Sequence, residues 1–389
     1  MNQVKSVAHI LAALSLLIFV LSGCVAPTDA PNRASGAADI LHARKVIALV
    51  SNAENEQATR AAASAEGYRE LETATLGALG LTMLTFEMPP DVTGVEAIEQ
   101  LEAAVPGSVV GINHAYRLQQ QSSGAASLEY ANAMMRWPDD GCRAQSPIGL
   151  IDTGLNTSSP SLAPARVITR RFFEGTAGDT AHGTDVATVL VDANRLQDVT
   201  LYAANVFGQE ENLGLVAGAD ALIKALDWLA QQNVQFVNLA LAGPYNKLLD
   251  LAVERATANG MILVAAVGNN GPNVEPMYPA GFSDVIAVTA VDINGNIYRN
   301  AVRGPHVDIA APGVDILVNS GNGARFVSGT SIATPLVTAR LVADGSLKNK
   351  PSIEQVRNRL KGKSTDLGAR GHDPTFGNGL VLAEDVCGG

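Results

Sequence analysis

Apolar and polar positions divide the chain into stretches of different rhythm. Val7–Leu21 is an apolar run broken only by His9 and Ser15, and Lys5 precedes it. A charge followed by an apolar stretch too short for a comfortable membrane span reads as an export signal. Residues 25–40, rich in Pro, Ala, Ser, Asp and Gly, read as a flexible tether, assigned with Cys24 to 24–42. Residues 43–118 then switch between strand-like and helix-like periods. Lys45–Val50 is β-rich, Glu54–Glu66 has helical composition, and Arg69–Ala74 and Leu79–Glu87 are strand candidates. Val95–Val105 predicts a helix with Ile98, Leu101 and Val105 on one face, and Ser108–Asn113 a last strand. The order βαββαβ predicts an α+β, ferredoxin-like unit. Nothing in it reads as catalytic, and the lone His114 reads as structural.

Residues 119–129 (QQQSSGAASLE) break the periodicity and predict an exposed, cleavable linker. From Tyr130 onward, continuous apolar runs alternate with amphipathic ones. Strands are predicted at Pro147–Ile151, Val199–Val206, Val234–Leu241, Met261–Val267, Val285–Ala290 and His306–Ala310. Helices are predicted at Gly183–Asp192, Val216–Gln231, Tyr245–Asn259, Ser331–Ala343 and Ile353–Leu360. That alternation implies an α/β fold over 130–389, a doubly wound parallel sheet with helices on both faces. Sites in such sheets lie at the carboxyl ends of the strands.

Composition narrows the picture. With 389 residues, the chain suggests two domains plus appendages, and 47% apolar against 17% charged residues argues for folded cores. A formal charge of −11 without a basic cluster argues against nucleic-acid binding. Leu21-Ser22-Gly23-Cys24 resembles the bacterial lipobox, which implies a signal peptide over 1–23, lipidation of Cys24 and anchoring to a membrane. An ordinary signal peptide cut nearby and an uncleaved anchor are the alternatives, and each still exports the protein. Cys142 and Cys387 then remain as a pair. In an exported chain such a pair suggests a disulfide, with two free thiols as the alternative.

Candidate chemistry sits in three segments: Ile151-Asp152-Thr153-Gly154, His182-Gly183-Thr184 and Gly329-Thr330-Ser331-Ile332-Ala333-Thr334-Pro335. A nucleophile, a base and a residue that orients the base are what acyl transfer at neutral pH requires. Asp152 ends a predicted strand, and His182 and Ser331 open predicted helices. Pro335 is expected in the first helical turn, where its missing N–H does little harm. Gly268-Asn269-Asn270-Gly271 follows another apolar strand and offers an amide donor for an oxyanion.

The order Asp, His, Ser with a Gly-Asn between His and Ser resembles the subtilisin-like serine proteases (subtilases, peptidase S8). The resemblance covers roughly residues 130–385. It implies Asp152 as the orienting carboxylate, His182 as general base, Ser331 as nucleophile and Asn269 as oxyanion donor beside the Ser331 N–H. Val237–Pro244 resembles the strand that pairs with substrate backbone, with Ala240, Leu241 and Ala242 in contact with polypeptide substrates. Residues 43–118 resemble the family's βαββαβ propeptide, which implies a zymogen inhibited by its own segment, cut in 119–129 and then released from the lipid anchor.

The pattern also departs from the family. Asp185 stands where a second His is common, and a carboxylate there could raise the His182 pKa if it faces the ring. Ala240-Leu241-Ala242 replaces Ser-Leu-Gly, which implies a narrowed pocket at Ala242. Sixteen residues separate His182 from Val199 and hold no Asp/Asn-rich calcium loop, so no metal or other cofactor is assigned; acidic loops such as Asp292–Asn296 stay open. The rival readings are an inactive subtilase-like lipoprotein that acts as a binding module, and an esterase. The Gly-x-Ser-x-Gly elbow of α/β-hydrolases is absent around Ser331.

Overall fold

The computed structural model describes residues 40–118, 121–122, 130–321 and 323–387. The apolar leader, Cys24, nearly all of the tether and most of the 119–129 linker lie outside the described residues.

The first elements are β1 (Lys45–Val50), α1 (Ala53–Ala65), β2 (Arg69–Leu76), β3 (Leu81–Glu87), α2 (Gly94–Ala104) and β4 (Val109–Ile112). They form an antiparallel sheet in the order β2-β3-β1-β4, the split βαβ arrangement. Both helices start on side-chain caps: Asn52 accepts from Asn55 N, and Thr93 and Glu96 form a capping box. The apolar run of β1 lacks alternation because both of its faces are covered. Val46, Ala48 and Val50 pack with Leu84, Phe86, Ala97 and Leu101 under the unit's own helices. Ile47 and Leu49, with Met83, join the main core of the following residues.

The chain continues through β5 (Ala115–Leu118) and β6 (Gln121–Ser122) into the large α/β layer. Its elements are β7 (Ile148–Asp152), β8 (Arg166–Arg171), α3 (Ala181–Leu190), β9 (Thr200–Asn205), β10 (Gly214–Gly218), α4 (Ala219–Gln231), β11 (Phe236–Leu239), β12 (Leu241–Ala242), α5 (Lys247–Ala258), β13 (Ile262–Ala266), β14 (Val285–Val291), β15 (Ile309–Pro312), β16 (Ile316–Asn319), β17 (Ala324–Ser328), α6 (Thr330–Ala343), α7 (Ile353–Lys361) and β18 (Leu380–Val381). The main sheet runs β18-β15-β14-β13-β11-β7-β9-β8, all parallel, with Ser364–Thr365 added antiparallel at the β18 edge. From β7 the chain goes to the edge strand β8 and returns to β9 between them, and from β11 it winds the other way. The reversal falls between β7 and β11, so a crevice opens at their carboxyl ends.

Alternate residues of β11 show the two faces. Asn238 accepts from Thr338 of α6 at 3.0 Å. A side chain at Gly149, one strand over, would meet Val237 and Leu229 of α4. Helix α6 is buried at every residue, as a central helix must be. A disulfide joins Cys142, ahead of β7, to Cys387, past β18, with the Cα atoms 5.1 Å apart.

Three expectations need correction. The helix predicted from Val216 begins at Ala219, because Val216–Gly218 is captured as the end of β10, which pairs with Ala115 and Tyr116. The strand predicted from His306 runs Ile309–Pro312, in register with Val288–Val291. Pro335 is the sixth residue of α6, not in its first turn. Its ring sits where an N–H would have donated to the Ser331 carbonyl. Strand β8 was not anticipated: it is an edge strand carrying Arg166, Arg170 and Arg171, and charge on an exposed edge masks the apolar signal.

Candidate active site

Strand β7 ends on Asp152, which is 1% exposed at the switch-point crevice. Its Oδ1 accepts from Thr153 N at 2.6 Å and lies 2.7 Å from His182 Nδ1. A carboxylate can only accept, so the imidazole proton belongs on Nδ1 and Nε2 is left as the basic nitrogen. His182 is the second residue of α3 and 7% exposed. Its Nε2 is buried and has no hydrogen-bond partner among the described residues. Glycine at 183 permits the approach of α3 to the Asp152 turn. Gly183 N donates to Thr153 Oγ1 at 2.8 Å, and a Cβ would stand 2.7–2.9 Å from Thr153 Oγ1, Thr153 O and Gly154 O.

Ser331 lies in the first turn of α6, which packs against α3. Thr330 and Asn269 fix its surroundings. Asn269 Oδ1 accepts from Thr330 N at 3.1 Å and from Thr330 Oγ1 at 2.9 Å. Both partners are donors, which sets the amide's orientation and identifies the other end as Nδ2. The structure thus brings Asp152 and His182 into direct contact and sets Asn269 against the residue preceding Ser331. Thr153 and Thr330, which position these groups, were not singled out from the sequence. Both stand inside the segments that carry the candidate chemistry, next to Asp152 and Ser331.

The chain's own β5 occupies the crevice edge. It runs antiparallel to β12, with Leu118 opposite Leu241 and Arg117 opposite Ala242, and on its other side Tyr116 and Ala115 pair with Ala217 and Gly218. Ala240, Leu241 and Ala242 are all buried. Tyr116 is buried with its ring against Gly243, where a Cβ would come within 2.5 Å of it, and its hydroxyl donates to Pro244 O at 3.3 Å. Burial pushes the Tyr116 hydroxyl up, with the Asp250 carboxylate adding to the shift. Tyr245, Tyr278 and Phe282 form an aromatic cluster, with ring centroids 4.7–6.1 Å apart. Further along, β6 pairs with β17, Gln121 opposite Ser328 and Ser122 opposite Val327.

Asp185 is fully buried, and its carboxylate is engaged by Ser320 Oγ at 2.7 Å and Arg325 Nη2 at 2.5 Å. Asp292 is used by its own turn, accepting from Asn294 N, Asn296 N and Asn296 Nδ2. No group of three or more His, Cys, Asp or Glu side chains among the described residues is arranged to hold a metal ion. No helix among them is long and apolar enough to cross a membrane. His114 Nδ1 accepts from Asn246 Nδ2 at 2.9 Å, and the same amide nitrogen donates to Ile112 O, so this histidine ties β4 to the start of α5.

The fold is that of the subtilisin-like serine proteases. Residues 144–379 match the family model described as the subtilase family, and the chain belongs to that family. It is 31% identical to subtilisin DY of Bacillus licheniformis over 256 residues, 62% of this chain and 90% of that protein. It is 33% identical to a thermostable alkaline protease of Halalkalibacterium halodurans over 246 residues, 61% of this chain and 66% of that one. The crystal structure of fervidolysin from Fervidobacterium pennivorans, a keratinolytic enzyme related to subtilisin, matches with a TM-score of 0.72. The match covers 92% of this chain and 62% of that one at 18% identity, a likeness of fold.

Proposed function

We propose that the protein is an exported serine endopeptidase made as a zymogen, with Ser331 as nucleophile, His182 as general base and Asp152 as the residue that orients the base. The observation that carries this reading is the buried 2.7 Å contact between Asp152 Oδ1 and His182 Nδ1 at the switch point of the sheet. The Ser331 hydroxyl attacks the substrate carbonyl and gives its proton to His182 Nε2. The imidazolium formed is stabilised by Asp152. Asn269 Nδ2 and the Ser331 N–H receive the oxyanion, helped by the N-terminus of α6. The protonated His182 then donates to the leaving amine, and water hydrolyses the acyl-enzyme by the reverse route.

Residues 43–118 act as propeptide on this reading, with their last strand held as a substrate is held. The supporting observation is strand addition on both sides of a gap: Leu118 is the last residue paired with β12, and Gln121 is the first paired with β17. Ser331 follows Ser328 by three residues, so the cut is assigned to the three peptide bonds from Leu118 to Gln121. Lipidation at Cys24 is part of the proposal, and cleavage would leave the lipid on the propeptide side. The test is labelling with a fluorophosphonate probe, which marks an activated serine. The purified chain should label and its Ser331→Ala form should not; equal labelling of both would refute the assignment of the nucleophile.

A further inference from the structure

We infer that Asp185 is a positioning residue that fastens the leaving-side strand to the helix carrying the base. The inference rests on the serine-protease reading above. His182 and Asp185 are three residues apart on α3, so they share a side of its first turns. The β16–β17 hairpin is not part of the main sheet; it forms a separate three-stranded sheet with β6. Asp185 reaches that hairpin at two points, its turn through Ser320 Oγ and its second strand through Arg325 Nη2, and Arg325 Nη1 also donates to Ser320 Oγ at 3.1 Å.

A fully buried carboxylate on a helix is poorly explained by stability. Its desolvation is costly, and well-packed apolar residues often serve as well. The position accounts for it better. Strand β17 pairs with the residues that follow the cut, through Val327 and Ser328. The leaving amine must take its proton from His182 Nε2, so the distance between β17 and α3 sets whether that transfer is in reach. The Asp185 bonds fix this distance from the α3 side, while Arg325, 35% exposed, completes the pair from the hairpin.

The test compares two substrates with the same acyl peptide, one extended by two residues past the cut and one a p-nitrophenyl ester. The ester offers no backbone to β17, and its leaving group needs no proton. For Asp185→Asn and Arg325→Gln, kcat on the extended peptide should fall about 10–100-fold while the ester falls by less than about threefold. Equal losses on both substrates, or none, would overturn the assignment. Arg325 is partly exposed, so Arg325→Gln carries the test if Asp185→Asn fails to fold. Fluorophosphonate labelling is read alongside. A wild-type chain that does not label sinks the protease reading itself, whereas labelled variants with an unchanged substrate ratio sink only the role of Asp185.

Discussion

Asp152 and Asp185 are both buried carboxylates, and their partners differ in kind. Asp152 meets an imidazole, whose charge can change during turnover; Asp185 meets a guanidinium, whose charge cannot. The carboxylate of Asp185 is engaged by Ser320 and Arg325. On the proposed roles, Asp152→Asn should lower kcat about 10⁴-fold by favouring the wrong tautomer. Asn269→Ala should lower it about 10²–10³-fold, the loss known for the oxyanion asparagine of subtilisin. Steady-state kinetics on one peptide checks both. Ala242 faces Arg117 across the ladder, where substrate backbone would pass. Ala242→Gly should broaden the range of peptides cut, and identical cleavage profiles of a mixed peptide pool would contradict this. The Asp, His, Ser and Asn candidates could be read from sequence because each sits beside small residues in a short segment. Tyr116 could not, because its pocket is assembled from residues more than a hundred positions away.

At the scale of elements, the first sheet is held between two sets of helices, its own and those of the large layer. The contact is polar at its rim. Asp227 Oδ1 accepts from Ala78 N and Leu79 N at 2.8 and 3.2 Å, and Asn259 Nδ2 donates to Ala78 O at 2.7 Å. Lys224 pairs with Glu72 and Lys247 with Glu102. Those partly exposed pairs add little each. The Asp227 bonds matter more, because removing them leaves two backbone donors near the interface without their acceptor. In the uncut Ser331→Ala chain, Asp227→Ala should cost about 1–3 kcal/mol in denaturant unfolding. Strands buried on both faces, such as β1 and β13, were legible as apolar runs. The edge strand β8 and the five-residue β10 and β17 were not, because arginines mask the strand pattern of β8 and the other two are too short to display a strand period.

For the whole molecule, the C-terminal part is joined to the core by charge and by a covalent bond. Asp344, at the end of α6, accepts from Arg340 Nη1 at 2.8 Å, Arg359 Nε at 2.7 Å and Ser346 Oγ at 2.6 Å, which ties α6 to α7. Burial alone would raise this carboxyl. The bonds from Arg359 and Ser346 and the charge of Arg340 outweigh it and hold the pKa at about 2, against an ordinary 3.8. A depressed carboxyl stabilises the fold above its unfolded pKa. That contribution, about 2 kcal/mol, is lost as pH falls from about 4 to about 2. Asp344→Asn should be less stable at neutral pH and should lack this part of the acid dependence, as thermal melts across that range would show. The layered α/β class was legible from the alternation of elements; the network around Asp344 was not, because it joins two helices and a loop that sequence reading treats separately.

On the proposed function, this site cuts the chain that fills it. Terminal sequencing and intact mass of the purified protein beside its Ser331→Ala form test it most directly. A new N-terminus at Gln119, Gln120 or Gln121 is expected in the active chain and none there in Ser331→Ala. An active-form chain that stays whole, or the same cut in both forms, would contradict it.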